Sequence, residues 1–206
     1  MINKSLKEYL DTAILPRYKS YDKGHNEDHI LEVVAGSLEL AEGRDLNLDM
    51  VYTAAIFHDL GLPEGRETHH ISSARLLRED EFINNYFDSI AIEIISMAIE
   101  DHRASSKNPP RTIYSEILSS ADRIIIPDKV IMRTYYYGLD HYPQIQFEEQ
   151  LERIYKHIQE KYGENGYLKI PIITKKNKEG LGRLRELASN KNKFLDYCKE
   201  LINQIQ

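Results

Sequence analysis

Met50-Val51-Tyr52-Thr53-Ala54-Ala55-Ile56-Phe57-His58-Asp59-Leu60-Gly61 is the stretch on which the reading of this chain turns. An apolar helical run ends in His58-Asp59, just before a glycine able to terminate a helix. Imidazole and carboxylate therefore sit side by side at the buried end of a helix. Two ionisable groups are costly there unless something pairs with them. A divalent metal does so, and imidazole and carboxylate are common ligands for Zn, Mn and Fe. The dipeptide alone is weak, because 8 histidines in an acidic chain produce one by chance roughly one time in three. Its weight comes from partners elsewhere in the chain.

Outward from this run, helical periodicity dominates. Leu6, Tyr9, Leu10, Ala13 and Ile14 predict a first helix stopped at Pro16. Ile30, Val33, Val34, Ser37, Leu38 and Ala41 predict a second, capped by Asn26-Glu27-Asp28 and ended by Gly43. The third spans about 48–60, the fourth carries Ile71, Ala74, Leu76 and Leu77, and the fifth ends near His102. Residues 104–110 read as a loop. Ile113, Ile117, Leu118 and Ala121 make a sixth helix, running into Ile124-Ile125-Ile126 before Pro127. A segment from Lys129 to Tyr137 is closed by Gly138, and a long amphipathic helix covers about 144–162. A turn region follows, in which Ile170-Pro171-Ile172-Ile173 suits a short extended piece, and a last helix runs over about 180–205. No strand pairing is visible, so the expected class is all-α.

The bulk numbers set bounds. A chain of 206 residues suits one domain and buries roughly 70% of its unfolded surface. Apolar residues make up 41% and charged residues 29%, as in ordinary globular proteins. The net charge of −6 argues against a basic surface for duplex nucleic acid. No apolar run reaches the roughly 18 residues of a membrane span, and Met1–Glu8 lacks the apolar segment of a signal peptide. Cys198 is the sole cysteine, which excludes an intrachain disulfide and fits a cytoplasmic protein.

The other histidines and one aspartate stand at comparable positions. His29 opens the second helix, His69 and His70 start the fourth, His102 closes the fifth, and Asp122 ends the sixth. Packing the apolar faces of these helices would bring their polar ends together. His29-Ile30-Leu31-Glu32-Val33, Ala54 to Gly61, His69-His70-Ile71-Ser72-Ser73-Ala74, Ala98-Ile99-Glu100-Asp101-His102 and Ile117 to Arg123 together resemble the HD-domain superfamily of metal-dependent phosphohydrolases.

That resemblance runs from about His25 to Arg133. It implies a single helical domain over 1–206, with an HD core at about 25–135 and a C-terminal helical extension at about 140–206. It implies that His29, His58, Asp59 and Asp122 bind one metal, and that in two-metal branches His69 and His102 bind a second, with Asp59 bridging. Spacing favours His69 over His70, since His69 stands four residues before Ser73. The ion is Mn, Fe, Ni, Co or Zn, or Mg, in one or two copies. Such an ion lowers the pKa of a bound water to roughly 7 and polarises a phosphoryl oxygen.

An anionic substrate needs cations. Arg103 follows His102 and is the first choice, since guanidinium offers a fork to phosphate. Arg123, Lys23, His25 and Arg66 lie next to or near the ligands and are candidates for substrate contact. Glu64 and Glu67 follow the His-Asp pair in the loop and either suits a general base, Glu64 being the first choice, although an exposed loop acid is the commoner case. His141 and His157 lie outside the matching strings and read as structural. The expectation is a phosphohydrolase for a nucleotide or another small phosphate ester, without a membrane partner and with a homodimer left open. Two rivals stand beside it: a mixed-valent di-iron oxygenase using the same ligands, and a non-catalytic binding module.

Overall fold

The computed structural model describes residues 1–21, 25–103, 108–168 and 170–204. Among these residues every regular element is a helix and no strand is present. Side-chain caps fix where most helices start. Asn3 caps α1 (Lys4–Tyr9), Asn26 caps α2 (Glu27–Ala41), Asn47 caps α3 (Leu48–Phe57) and Asp80 caps α5 (Glu81–Tyr86). Asp88 caps α6 (Ser89–Asp101) and Thr112 caps α7 (Ile113–Asp122). Each oxygen satisfies an N–H that the first helical turn leaves over. Between α3 and α5 lies α4 (His69–Glu79), which has no side-chain cap.

The chain divides into two compact units. The first comprises Met1–Arg123 and Ile170–Thr174. At its centre stands α3, whose residues from Met50 to Phe57 are all buried. A helix that is apolar on every side has to be surrounded. Here α2, α6 and α7 pack on α3, and α4 packs on α6. Burial of Ile30, Val33, Ile56, Phe57, Leu77, Ile95 and Ile99 holds these helices together, at roughly 1.5–3 kcal/mol for each large side chain. Pro16 does not stop the N-terminal helix. The chain passes from α1 through a π-helical turn at Leu10–Ile14 into a 3₁₀ segment at Leu15–Ser20. Pro16 occupies the first turn of that segment, where its missing N–H costs nothing. Residues 170–174 are not a strand. Ile172 donates its N–H to Ser120 Oγ at 3.2 Å, so the segment lies on the end of α7.

The second unit comprises Ile124–Lys169 and Lys175–Gln206. Pro127 starts α8 (Pro127–His141), and α9 (Phe147–Tyr162), α10 (Lys175–Ala188) and α11 (Lys191–Asn203) follow. Its core is Ile131, Leu151, Ile154, Ile158, Leu184, Phe194, Cys198 and Ile202. Burial pushes the Cys198 thiol up to about 12, which leaves it inert. Three boundaries differ from those the periodicity predicts, the first being the start of α10 at Lys175, inside the expected turn region. Gly138 lies inside α8 and closes nothing; a Cβ there would meet Gln150 Oε1 at 2.1 Å and Arg153 Nη2 at 2.2 Å, so the glycine lets α9 approach. The expected last helix is two helices, because Asn190 Oδ1 accepts from Lys193 N at 3.1 Å and starts α11 afresh. No helix among the described residues is long and apolar enough to cross a membrane.

Candidate metal centre

The site grows from helix ends in the first unit. Phe57 is the last residue of α3, and His58 continues in helical geometry as its cap. Its Nδ1 lies 2.8 Å from Ala55 O, three residues back. The same relation holds for His69 with Arg66 O at 2.7 Å and for His102 with Ile99 O at 2.6 Å. A carbonyl only accepts, so each Nδ1 donates, and each neutral ring presents its Nε2 lone pair. That is the tautomer and the second contact usual for a ligating imidazole. His29 stands in the first turn of α2, and Asp122 is the last residue of α7.

After Asp59 the chain reverses tightly. Leu62 N–H bonds Asp59 O at 3.0 Å, and Gly61 N–H donates to Ser73 Oγ at 2.8 Å. A Cβ on Gly61 would lie 2.5 Å from Ser72 Cβ and 2.6 Å from His69 O. The glycine thus lets the His-Asp turn touch the first turn of α4, which brings His69 to Asp59. Two tyrosines complete the scaffold. Tyr18 donates to Ile56 O at 2.7 Å and Tyr21 to Leu60 O at 2.8 Å. They satisfy carbonyls that the end of α3 leaves free.

Asp59 stands between two groups. Its Oδ2 lies 3.3 Å from His58 Nε2 and 3.8 Å from His29 Nε2. Its Oδ1 lies 3.2 Å from His69 Nε2 and 3.4 Å from His102 Nε2. Asp122 Oδ1 closes the first group, 3.2 Å from His29 Nε2 and 3.7 Å from His58 Nε2. In each of the sets His29-His58-Asp59 and Asp59-His69-His102, one donor atom per residue lies within 4.8 Å of the others. The Nε2 atoms of His29 and His58 are buried and lack a hydrogen-bond partner despite the nearby oxygens. The His29 and His58 nitrogens thus point into the cluster unpartnered, as ligand atoms do, while the Nε2 atoms of His69 and His102 lie 3.1 Å apart beside Asp59 Oδ1. These residues therefore fit a divalent cation, with the Asp59 carboxylate facing two centres.

The charges are strongly coupled. Burial alone would lower the His58 pKa, but the carboxylates of Asp59 and Asp122 raise it well above the usual imidazole range. Burial would likewise raise Asp59, but the imidazoles of His58, His102 and His69 hold it well below the usual carboxylate range. Asp122 is held down against burial by His29 and His58. Access is one-sided. The side chain of His58 is 0% exposed, while Asp122 is 23% exposed.

The remaining candidates have varied surroundings. Of the paired histidines, His69 enters the cluster, whereas His70 is half-buried with a buried Nδ1 that lacks a partner. Arg103 donates to Glu67 O at 2.6 Å, which ties it to the loop before α4. Arg66 is exposed, and it is its carbonyl that serves the cluster, through His69. Glu64 is an exposed partner of Arg75 at 2.6 Å, and that guanidinium lowers its pKa. His25 sets its ring edge-on to His29 with centroids 5.9 Å apart. Arg123 is half-buried, and desolvation lowers its pKa. Lys23 lies outside the described residues. Sequence reasoning missed Tyr18, Tyr21 and the three carbonyls. Only the i, i+3 tyrosine pair left a trace in the sequence.

Comparison with known proteins follows the same lines. Residues 26–125 match the family model of the HD domain. An uncharacterized protein of Clostridium beijerinckii is 32% identical over 122 residues, spanning 53% of this chain and 73% of that protein. Among solved structures, a predicted HD superfamily hydrolase from an uncultured Thermotogales bacterium is 25% identical. It superposes with a TM-score of 0.51 over 73% of this chain and 83% of the other. A protein of Lactobacillus plantarum, 20% identical, shares the fold with a TM-score of 0.62 over 99% of this chain and 100% of the other.

Proposed function

The chain belongs to the HD-domain superfamily, and on that premise we propose that it is a metal-dependent phosphohydrolase for a nucleotide or another small phosphate ester. One observation carries the reading: Asp59 turns one oxygen to His58 and His29 and the other to His69 and His102. We assign His29, His58, Asp59 and Asp122 to one divalent ion and Asp59, His69 and His102 to a second. When bound, such ions supply Lewis acidity and a water acidic enough to attack phosphorus near neutral pH.

The protein's own groups do the rest. The carbonyls of Ala55, Arg66 and Ile99 fix Nδ1 as the donor in three imidazoles, so Nε2 is the atom each ring turns to a cation. The buried walls keep bulk water from the His58-Asp59-His102 side, and substrate enters past Asp122, the more exposed end. Arg123, beside Asp122, is the cation we assign to the incoming phosphate. Arg103 and His70 flank the His69-His102 side and are assigned to the charge that develops there. Glu64 remains the candidate base only if it exchanges Arg75 for a water.

Elemental analysis of unsupplemented protein tests the ligand assignment. Phosphate release from a panel of nucleoside phosphates and p-nitrophenyl phosphate, with Mn, Co, Ni or Mg, tests the reaction. Metal-dependent release that disappears in Asp59→Asn is the expected result. Bound iron with an electron paramagnetic resonance signal and substrate-dependent oxygen uptake would replace the proposal with the oxygenase reading. Full activity in Asp59→Ala would overturn both.

A further inference from the structure

We propose that the cavity between α8 and α9 is a second ligand site, which binds a nucleotide through Arg133, Arg153, Lys156 and Lys161 and stacks its base on Tyr137 or Tyr142. All of these residues belong to the second unit, and none belongs to the metal centre, so the inference stands apart from the reading of that centre.

The cavity holds about 450 Å³, within the roughly 300–1,000 Å³ usual for small-molecule sites. Its walls are two helix faces. Val130, Arg133, Thr134 and Tyr137 recur at i, i+3, i+4 and i+7 along α8, and Arg153, Lys156, His157 and Glu160 repeat that spacing along α9. Helices that only needed to pack would set apolar residues on such faces, as α9 does with its buried Leu151, Ile154 and Ile158. Here the neighbouring stripe is cationic instead. Four cations line the cavity and one carboxylate, Glu160, lies 3.8 Å from Lys156. This concentration of positive charge stands in a chain whose net charge is −6. Like charges facing each other across a cleft repel, and an anion between them removes the repulsion. The field is felt by His157 in the same wall, which burial and then Lys161 and Arg153 push below the usual imidazole pKa.

The floor is already organised. Arg153 donates from Nε to Gln150 Oε1 at 2.9 Å and from Nη2 to Thr134 O, and it lies over the Tyr142 ring at 5.8 Å. A guanidinium fixed in this way loses little entropy on meeting phosphate. Arg133 and Lys156 are exposed above it and are able to close on an anion. The aromatic edge supplies the second half of the recognition. Tyr137 stacks on His141 through one face, with ring centroids 3.9 Å apart, and at 50% exposed keeps its other face for a base, while Tyr142 is 41% exposed. A bare polyanion would use only the cations. A nucleotide uses both.

The test is calorimetric titration of the chelated full-length protein with ATP, ADP, tripolyphosphate and adenosine, repeated in Asp59→Ala to remove the metal centre. The expected result is one equivalent of ATP or ADP bound in both. In Arg133→Glu with Lys156→Glu the affinity falls at least about tenfold, while Lys191→Glu, outside the cavity, stays within about twofold. Tyr137→Ala weakens ATP and spares tripolyphosphate. Both reversed residues are exposed, and circular dichroism verifies that the variant is folded; Arg133→Gln alone carries the same comparison if it is not. Absence of saturable binding up to roughly 1 mM, or an unchanged affinity in the folded reversal variant, would overturn the site. Tripolyphosphate binding as tightly as ATP would overturn the nucleotide assignment.

Discussion

Replacing Gly61 with alanine adds one methyl group at the point where the His-Asp turn meets α4. That methyl would sit 2.5 Å from Ser72 Cβ, 2.6 Å from His69 O and 2.6 Å from Ser73 N. Carbon atoms pack at about 3.5–4.0 Å, so the turn and α4 must separate by about 1 Å. Two of the three blocking atoms are backbone, so no side-chain rotation relieves the clash. The displaced turn carries His69, whose Nε2 is 3.2 Å from Asp59 Oδ1. The bond from Gly61 N–H to Ser73 Oγ, 2.8 Å long, is stretched by the same movement. Overpacking of this kind costs about 1–3 kcal/mol, and each kcal/mol lowers Tm by about 2–4 °C in a chain of this size. A misplacement of about 1 Å at reacting groups costs on the order of a hundredfold in rate. Gly61→Ala should therefore melt several degrees lower and lose one equivalent of metal, from the His69-His102 side, while His29, His58 and Asp122 keep the other. Thermal unfolding under chelation reads the first effect, elemental analysis the second and phosphate release the third. Ser73→Ala is the control, since it strands an N–H at about 1–3 kcal/mol without pushing α4. A Gly61→Ala protein with the wild-type Tm, full metal content and full activity would refute the argument that this contact sets the position of His69.

Asp59→Asn should lower metal content on both sides of the cluster, since each oxygen serves one side, with activity falling more than about a hundredfold; loss of one equivalent only, by elemental analysis, would contradict the bridging role. In chelated protein the raised His58 pKa contributes stability that is lost as pH rises past the usual imidazole range. The depressed Asp59 and Asp122 contribute stability that is lost as pH falls below the usual carboxylate range. Thermal unfolding under chelation should thus weaken in both directions, and a Tm independent of pH would count against the coupled cluster. The same proton competes with metal, so affinity for Mn, measured by titration between roughly pH 6 and 9, should rise with pH. Gly180→Ala puts a methyl 1.8 Å from Ile125 O and should destabilise by more than about 2 kcal/mol. Gly138→Ala meets only the ends of Gln150 and Arg153, and a helix-propensity gain of up to about 1 kcal/mol offsets part of its cost; denaturant titration showing equal losses would contradict this distinction.

Much of the centre was legible in the sequence because each donor adjoins an apolar period. His29 precedes Ile30 and Val33, His102 follows Ile99, and Asp122 follows Leu118 and Ala121. Even the choice within His69-His70 follows from spacing, since His69, Ser73 and Leu77 recur every four residues and all three are buried. The boundaries read less well. Between α10 and α11 there is no glycine or proline, only the capping Asn190, so two helices look like one. Pro16 and Gly138 carry breaker chemistry, yet one occupies a first turn and the other a close helix crossing.

By itself, then, the chain's order of residues determined an all-helical fold and which imidazoles and carboxylates end its buried helices, because periodicity and caps are local properties. Only the tertiary structure decided how near the two oxygens of Asp59 lie to the His29-His58 and His69-His102 pairs, and that Tyr18 and Tyr21 close the end of α3. Those facts depend on contacts between residues far apart in the chain and on the direction each side chain takes once the helices pack. No local pattern encodes either, since both are fixed when several apolar faces are buried at once.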